Sequence, residues 1–419
     1  MSIVREHIFY WCLALGGLVL VVLLQVFDPV NYARFTAEDW VFEYAGAVAF
    51  LLAGALMWLS LGKAPGKLYC ALVLGMGAAF FFAGFEEISW GQRILGFSTP
   101  ELLLGINAQR EFTIHNLALL PRINKNAAIA HCVLCWIGAA WLAVLIAPHW
   151  VERWRRRGVP ILPMALAPLF LLFCFFILVK TPVIKRDEVG ECTLGVAAAI
   201  FALHWLLLQS GGHISLRKRA LWILALLLLI AAGSGILTWR FRGDPWGRLN
   251  AAAVYDYPRL GWHSQSLEVF EYLEAHPQLR SFETHLTYVV VLQELGRAAE
   301  ARRTLADAAA FLKALGPRDD YSRYLRRWAG IYKLQAQPEE AAQALEEALR
   351  LDRERWEHAD SPEAKTEALW SEVRTLFAQG KQEEALTAFA RVQASASPWL
   401  RFRTKRWLQR RSELTGEAG

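Results

Sequence analysis

The chain has 419 residues, of which 55% are hydrophobic and 18 are Trp, and its formal net charge is +6. Its mean hydropathy of +0.25 is too high for a wholly soluble protein of this length and is typical of a membrane protein with a soluble part. Long apolar runs end near residue 240, and the remainder is rich in Ala, Glu, Arg and Leu at helical spacing. The composition therefore predicts a membrane domain over 1–243 and a helical domain over 250–419.

The first apolar run, 8–27, is long enough to cross a hydrocarbon core of about 30 Å. Asp28 and Pro29 follow it instead of a small-residue cleavage site, so we expect a retained anchor and not a signal peptide. The six Cys residues lie in or beside apolar runs, which predicts neither a disulfide framework nor a zinc knuckle. Six more runs are long enough to span: 42–62, 68–86, 127–148, 161–180, 190–208 and 219–239. With 8–27, they bring the number of predicted transmembrane helices to seven.

Basic residues cluster in the connections after the second, fourth and sixth predicted helices, for example at Arg153 and Lys218. The positive-inside rule places these connections and the N-terminus in the cytoplasm. Seven crossings then place 250–419 outside, in the periplasm if the membrane is the inner membrane of a Gram-negative bacterium. Three basic residues oppose this orientation: Lys180, Lys185 and Arg186.

A polar stretch follows the third predicted helix on the outer side. Ionisable residues at a membrane cost about 2.5 to 3.5 kcal/mol at a helix centre, so they usually face a protein interior or a wet cavity and mark function. We expect acid–base chemistry from Glu86, Glu87, Glu111 and His115, and a divalent cation would be held by Glu87, Glu111 and His115. The neighbouring side chains expected to contact a substrate are Trp90, Gln92, Arg93, Asn107, Gln109 and Asn116.

Helical spacing would group these residues in two stripes. If the third helix continues, Glu86, Trp90 and Arg93 share one face. Two structural explanations stay open, since Arg93 could simply pair with Glu86 and Trp90 could be an interfacial aromatic. A second helical stripe would hold Asn107, Glu111 and His115.

Other polar residues on the outer side also have a structural explanation. Thr36 with Asp39, and Thr99 with Glu101, resemble helix N-caps, where acidic side chains suit the helix dipole. Asp187 could have the same role. For these acidic residues the capping explanation and a functional one both stay open. His204 lies 16 residues after Glu188, about 24 Å along a helix, and is therefore expected at the opposite surface. The outer set also includes Glu38, Glu43, His131 and Glu191.

The polar stretch contains a long motif. The chain reads EEISWGQR from Glu86, then TPE, then N-x-Q-x-E-x-x-x-HN, with ED-x-x-x-E upstream from Glu38. This pattern, over about 36–120, resembles an uncharacterised family of bacterial multi-pass membrane proteins. In that family a Gly is expected where this chain has Trp40, and another where it has Phe85. The resemblance implies that the stretch is one unit, and it brings no established activity.

From about residue 250 the sequence predicts paired helices. A Gly or polar turn is followed by a Glu–Ala pair at Glu300, Glu340 and Glu384, with separations of 40 and 44 residues. These segments resemble degenerate tetratricopeptide repeats, whose ideal period is about 34, and 264–277 would belong to an earlier partial repeat. Such an α-solenoid has a concave face suited to a protein partner. Nucleic acid is not an expected partner, because this part is predicted to lie outside the cell.

The predicted fold class is thus all-α, a polytopic membrane domain of about seven helices followed by a tetratricopeptide-like α-solenoid. The first functional hypothesis is an outer-face polar pocket that binds or acts on a lipid or lipid-linked cell-envelope substrate, with a divalent metal ion as the candidate cofactor. The alternative is a non-catalytic scaffold that recruits envelope proteins through its repeats. A transporter fits less well, because the polar residues gather at one surface.

Overall fold

A computed structural model of the chain describes residues 2–63, 66–100, 125–210, 214–276, 282–315, 321–396, 400–401, 404–405 and 407–408. Every regular element in these ranges is a helix, so the all-α fold class is confirmed at this level. The described residues divide into two compact units, a membrane unit up to Arg248 and a helical unit from Leu249 onward.

The membrane unit contains long apolar helices joined by short ones. Three-residue 3₁₀ turns lie at Leu61–Lys63, Ser89–Gly91 and Met164–Leu166. The helices are α1 (Ser2–Phe27), α2 (Pro29–Phe35), α3 (Val41–Leu59), α4 (Lys67–Glu87), α5 (Gln92–Leu95), α6 (Lys125–Ile146), α7 (Pro148–Arg156), α8 (Ala167–Leu178), α9 (Arg186–Gln209) and α10 (Leu216–Phe241).

Six helices among the described residues, α1, α3, α4, α6, α9 and α10, are long and apolar enough to cross a membrane. The run predicted at 161–180 differs from them. Its helical part, Met164–Leu178, is only about 22 Å long at 1.5 Å per residue, and the chain before it is not helical. The structure therefore supports a multi-pass protein with six spanning helices and one shorter apolar helix, where the sequence predicted seven equal spans.

Small residues bring the central helices into close contact. A Cβ atom added at Gly195 of α9 would lie 2.8 Å from the carbonyl oxygen of Gly46 in α3, and one added at Gly77 of α4 would meet the Trp58 ring. Because lipid tails are as apolar as the helix surfaces, the hydrophobic effect contributes little to helix association in membranes. Close backbone approach of this kind is instead a main source of it. As a result, α3 and α9 are the most buried of the six spanning helices.

Charge distinguishes the two ends of this helix bundle. At the end that we call acidic, Trp40 Nε1 donates to the carbonyl of Gly243 at 2.9 Å, which joins the start of α3 to the end of α10. At the opposite, basic end, Arg219 pairs with Glu6 at 3.0 Å, joining the start of α10 to the start of α1. His204 lies at the basic end, within electrostatic range of Arg219 and Arg155, so its expected position opposite Glu188 agrees with the structure.

The helical unit consists of helices that pack mainly on their neighbours in the chain. A π-helix at Ala252–Asp256 lies near its start. Its helices are α11 (Trp246–Ala251), within which the division between the units falls, α12 (Tyr257–Arg259), α13 (His263–Glu274), α14 (Phe282–Glu294), α15 (Ala298–Leu315), α16 (Tyr321–Leu334), α17 (Pro338–Glu357), α18 (Pro362–Gln379) and α19 (Gln382–Ser395).

The three Glu–Ala pairs of the sequence lie in the first turns of α15, α17 and α19. The alanines, Ala301, Ala341 and Ala385, are buried, because each begins the apolar face that a helix presents to the one before it. The segment predicted at 264–277 corresponds to α13. The helical pairs agree with the sequence, whereas a solenoid of regular repeats stays a prediction.

Candidate functional site at the acidic end

The end of α4 does not continue as a helix. It stops at Glu87, and Ser89, Trp90 and Gly91 follow with φ angles of +48°, +54° and +74°. Three consecutive residues in the left-handed region are unusual, because only Gly adopts this conformation without a steric cost. The predicted stripe of Glu86, Trp90 and Arg93 on one continuing helix is therefore wrong, since the helix is interrupted between Glu87 and Gln92.

The left-handed turn nevertheless places the Trp90 side chain against Glu86. Trp90 Nε1 donates to Glu86 Oε1 at 2.5 Å, and the indole stacks on Phe85 with an interplanar angle of 11°. The edge of the ring contacts Phe82 as well. These contacts hold Trp90 in its left-handed conformation and cover the Glu86 carboxylate, whose residue is only 7% exposed.

Glu87 lies on a different face of α4 from Glu86, because consecutive helical residues are about 100° apart. Its carboxylate lies within electrostatic range of Cys192 in the second turn of α9. Gln92, the next polar residue of the motif, donates from Nε2 to Thr99 Oγ1 at 2.9 Å and so ties α5 to the segment that follows it. The acid pair therefore divides, with Glu86 under Trp90 and Glu87 toward α9.

The remaining predicted site residues lie outside the described residues. Asn107, Gln109, Glu111, His115 and Asn116 belong to this group, and so does the side chain of Arg93. No group of three or more His, Cys, Asp or Glu side chains that could hold a metal ion occurs within the described part of the chain. The proposed metal set has one described member, Glu87.

The start of α3 has a capping arrangement, although not the expected one. Its N-cap residue is Trp40, without a side-chain cap, and Glu43 Oε2 accepts from the backbone N–H of Asp39 at 2.5 Å. Thr36 instead ends α2, where its hydroxyl donates to the carbonyl of Tyr32. The predicted cap by Thr36 and Asp39 is wrong in detail, and the capping carboxylate is that of Glu43.

Two arginines that sequence reasoning missed lie on Trp40. The Cζ atoms of Arg34 and Arg242 are 5.0 Å and 5.7 Å from its ring centroid. Since α2 carries one and the end of α10 the other, their spacing in sequence gives no signal of this arrangement. Together with the Trp40 to Gly243 hydrogen bond, they fasten three helix ends around a buried indole.

The acidic start of α9 is also structural. Asp187 and Glu188 occupy its first turn, where negative charge suits the helix dipole, and Lys185 Nζ pairs with Glu188 Oε1 at 3.0 Å. Burial alone would lower the pKa of Lys185, but the Glu188 and Asp187 carboxylates outweigh it and hold that pKa above its ordinary value. The N-cap residue of α9 is Lys185, without a side-chain cap hydrogen bond, so the predicted cap is wrong, whereas the dipole explanation for Asp187 and Glu188 agrees with their positions.

Below the acidic end, the membrane unit contains a cavity of about 330 Å³ that sequence reasoning did not predict. Five helices, α3, α4, α6, α8 and α9, line it, and all of the lining side chains are apolar. Phe80 lies six residues before Glu86, about 9 Å along α4, and Leu194 lies two residues after Cys192. The lining includes Phe50, Phe80, Trp136, Phe170, Leu194 and Phe201.

The acidic end thus combines a buried carboxylate under Trp90, a second carboxylate facing α9, and an apolar cavity one to two helical turns below both. This arrangement could hold a molecule with a polar head and a hydrocarbon chain. Among known proteins, no family model, no curated sequence and no solved structure matches this chain.

Proposed function

We propose that the membrane unit binds a lipid or lipid-linked molecule, with a hydrocarbon chain in the apolar cavity and the polar head at the acidic end. The observation that carries this proposal is the cavity itself. Cavities with apolar walls stay dry and bind apolar ligands, even at about 150 Å³. At 330 Å³ this one has about twice that volume, and it extends about 10 Å along α9 from Leu194 to Phe201.

The head of such a molecule would meet Glu86 and Glu87. A carboxylate partly shielded from water is suited to general acid–base chemistry, and Glu111 and His115 remain our candidates to complete that site. A divalent cation held by Glu87, Glu111 and His115 is part of the same proposal. Replacement of Glu111 or His115 by Gln should leave the protein stable and lower its bound metal in elemental analysis, and unchanged metal content would remove the metal from the proposal.

The proposed orientation places the acidic end outside the cytoplasm. The basic end carries Arg153, Arg155 and Arg219, as the positive-inside rule requires of cytoplasmic connections. This choice implies a bacterial inner membrane, with the head group reached from the periplasmic side.

The same proposal includes a seventh crossing through the short helix. A Cβ at Gly17 of α1 would lie 3.9 Å from Leu172 of α8, and Gln25 Nε2 donates to the carbonyl of Pro182 at 2.8 Å. The chain from Leu172 to Pro182 therefore runs parallel to α1 toward the acidic end. We propose that non-helical residues on both sides complete this crossing and leave the C-terminus outside, where a periplasmic reporter should be active and one near residue 155 silent.

The lipid proposal is tested with a diacyl phosphatidylglycerol that carries a photoactivatable diazirine near the end of one acyl chain. In the native protein we expect cross-links at cavity residues of α4, α6 and α9, for example Phe80 and Trp136. Ala198 lines the cavity, so Ala198→Phe should abolish these cross-links. The matched control is Ala139→Phe, on the exposed face of α6, which should leave them unchanged.

One result would contradict lipid binding in the cavity. If cross-links fall mainly on the exposed residues of α1 and Ala198→Phe does not alter them, the reagent reports only the lipid that surrounds any membrane protein. Glu86→Gln, with the chain cavity intact, should keep the acyl cross-links while weakening the selection among head groups.

A second function, docking of a protein partner on the helical unit, is favoured by a separate observation. Successive helices from α13 to α19 pack on each other, with the Glu–Ala pairs at corresponding positions of three helices. A tetratricopeptide-like array of this kind would recruit envelope proteins to the membrane unit.

A further inference from the structure

The helical unit has a cavity of about 600 Å³ where three helix ends meet. The last turns of α17 and α19 and the first two turns of α18 line it. Trp356 and Leu369 give it an apolar wall, and Trp356 is 36% exposed. Thr366 Oγ1 donates to Ser395 Oγ at 3.3 Å, so α18 and α19 are joined beside the cavity. The cavity is therefore part of a fixed arrangement of helices with an accessible indole.

Two cations lie against that indole. Lys365 Nζ is 5.9 Å and Arg391 Cζ is 5.2 Å from the centroid of the Trp356 ring. Among the described residues, neither cation forms an ion pair within 4.0 Å, although Asp360 also lines the cavity. Arg350, two turns before Trp356 on α17, shows the opposite behaviour, since its guanidinium pairs with Glu347 and Glu354.

The charged side chains that line the cavity are Lys365, Arg391 and Asp360, so the lining has one more positive than negative charge. Lys365 and Arg391 come from different helices and both lie over the Trp356 ring, so an anion bound in the cavity would be attracted to both. The N-terminal end of α18, which Ser361 caps, carries partial positive charge beside the cavity, although Glu363 in its first turn offsets part of it. Cation–π contacts at exposed sites contribute only about 0.5 to 1 kcal/mol, which leaves both cations able to bind a stronger partner.

We propose that this cavity binds an acidic peptide segment of a partner protein, with carboxylates at Lys365 and Arg391 and an apolar side chain on Trp356 and Leu369. The shape favours a peptide over a membrane surface. A flat bilayer interface is reached by side chains that project from a protein, whereas Trp356 forms the wall of a concave cavity. This site is distinct from the lipid cavity, so it stands or fails independently of the lipid proposal.

The test uses the full-length protein in nanodiscs of neutral lipid and a fluorescein-labelled peptide that contains Glu-Leu-Glu-Phe-Glu. Fluorescence anisotropy should detect binding, and a peptide with Gln in place of each Glu should bind at least about tenfold more weakly. The charge reversals Lys365→Glu and Arg391→Glu together should abolish binding of the acidic peptide. A milder pair, Lys365→Gln with Arg391→Gln, provides the same test if the reversals alter the helical circular dichroism.

The matched control reverses two exposed cations elsewhere on the helical unit, Lys381→Glu with Arg302→Glu, and should bind like the native protein. Four outcomes overturn the proposal. Two concern the native protein: it does not bind the acidic peptide, or it binds the Gln-containing peptide with equal affinity. Two concern the variants: Lys365→Gln with Arg391→Gln binds the acidic peptide as well as the native protein does, or the control variant loses binding. Competition by inorganic phosphate at the peptide concentration would reduce the site to a small-anion site, and competition by phosphatidylglycerol vesicles would assign it to a membrane. Either result also overturns the peptide assignment.

Discussion

The buried ion pair between Arg326 and Asp352 should be the most sensitive point of the helical unit. The two side chains are 10% and 0% exposed, and Arg326 Nη1 lies 3.2 Å from Asp352 Oδ2. The same Nη1 donates to the hydroxyls of Ser371 and Thr375, and Thr375 donates in turn to Asp352 Oδ2 at 2.6 Å. The network therefore connects α16, α17 and α18 through one guanidinium.

Asp352→Ala removes the carboxylate that faces this buried guanidinium. Breaking a buried pair by deleting one partner costs about 3 to 5 kcal/mol, because the remaining charge is left in a poorly solvated position. A domain of ordinary stability has only about 5 to 15 kcal/mol in total, so the variant should be close to unfolding. A second change, Arg326→Met in the Asp352→Ala background, should restore part of this loss because it removes the uncompensated charge.

Pulse proteolysis of the full-length protein in urea measures the effect, since cleavage in the helical unit reports its unfolded fraction. The control is Arg350→Ala, which removes ion pairs whose arginine is 52% exposed and should change the free energy of unfolding much less. Our reasoning fails if Asp352→Ala costs no more than Arg350→Ala, because the Arg326 pair would then behave as an exposed one.

Two further predictions concern packing and pH. Gly195→Ala should destabilise the membrane unit by about 1 to 3 kcal/mol, because the added Cβ meets the backbone oxygen of Gly46. The control is Gly235→Ala in α10, where the added Cβ meets nothing within 4 Å. Equal thermal midpoints of the two variants in detergent would refute the prediction. Burial, with Glu271 and Glu274 nearby, raises the pKa of Tyr288 above its ordinary value of 10.0. Above pH 10 the folded state keeps this proton while the unfolded state releases it. The contribution of Tyr288 to stability is therefore complete below pH 10 and is lost as the pH rises through the folded pKa. In urea titrations at successive pH values, Tyr288→Phe should remove that part of the alkaline loss of stability.

Apolar run length predicted the long helices well because membrane helices must satisfy their backbone internally over about 20 residues. It failed at 161–180, where apolar composition is continuous but helix is not. Pro163 precedes the 3₁₀ turn with a φ of −66° and a ψ of 131°, an extended conformation, and the helix ends at Leu178. Hydropathy measures only the polarity of a segment, whereas a proline limits how much of that segment can be helical.

The candidate site was harder to predict than the fold. Glu86 and Trp90 have helical spacing, which predicted a shared face on a continued helix, whereas a left-handed turn after Glu87 is what brings them together. Gly91 is compatible with such a turn, but nothing local marks Ser89 and Trp90 as left-handed. Their conformation depends on stacking against Phe85 and on the Glu86 hydrogen bond, which are tertiary consequences of the turn itself.

The lipid cavity follows from an unequal distribution of large and small residues. Glycines bring α3, α4 and α9 together, whereas Trp136 of α6 stands between Phe170 and Phe201 with edge-to-face contacts at 5.6 Å and 5.8 Å. All three rings line the cavity, whose presence composition alone does not reveal. Apolar walls without partner atoms lack dispersion contacts, and a hydrocarbon chain in the cavity would restore them, which is the physical basis of the lipid proposal.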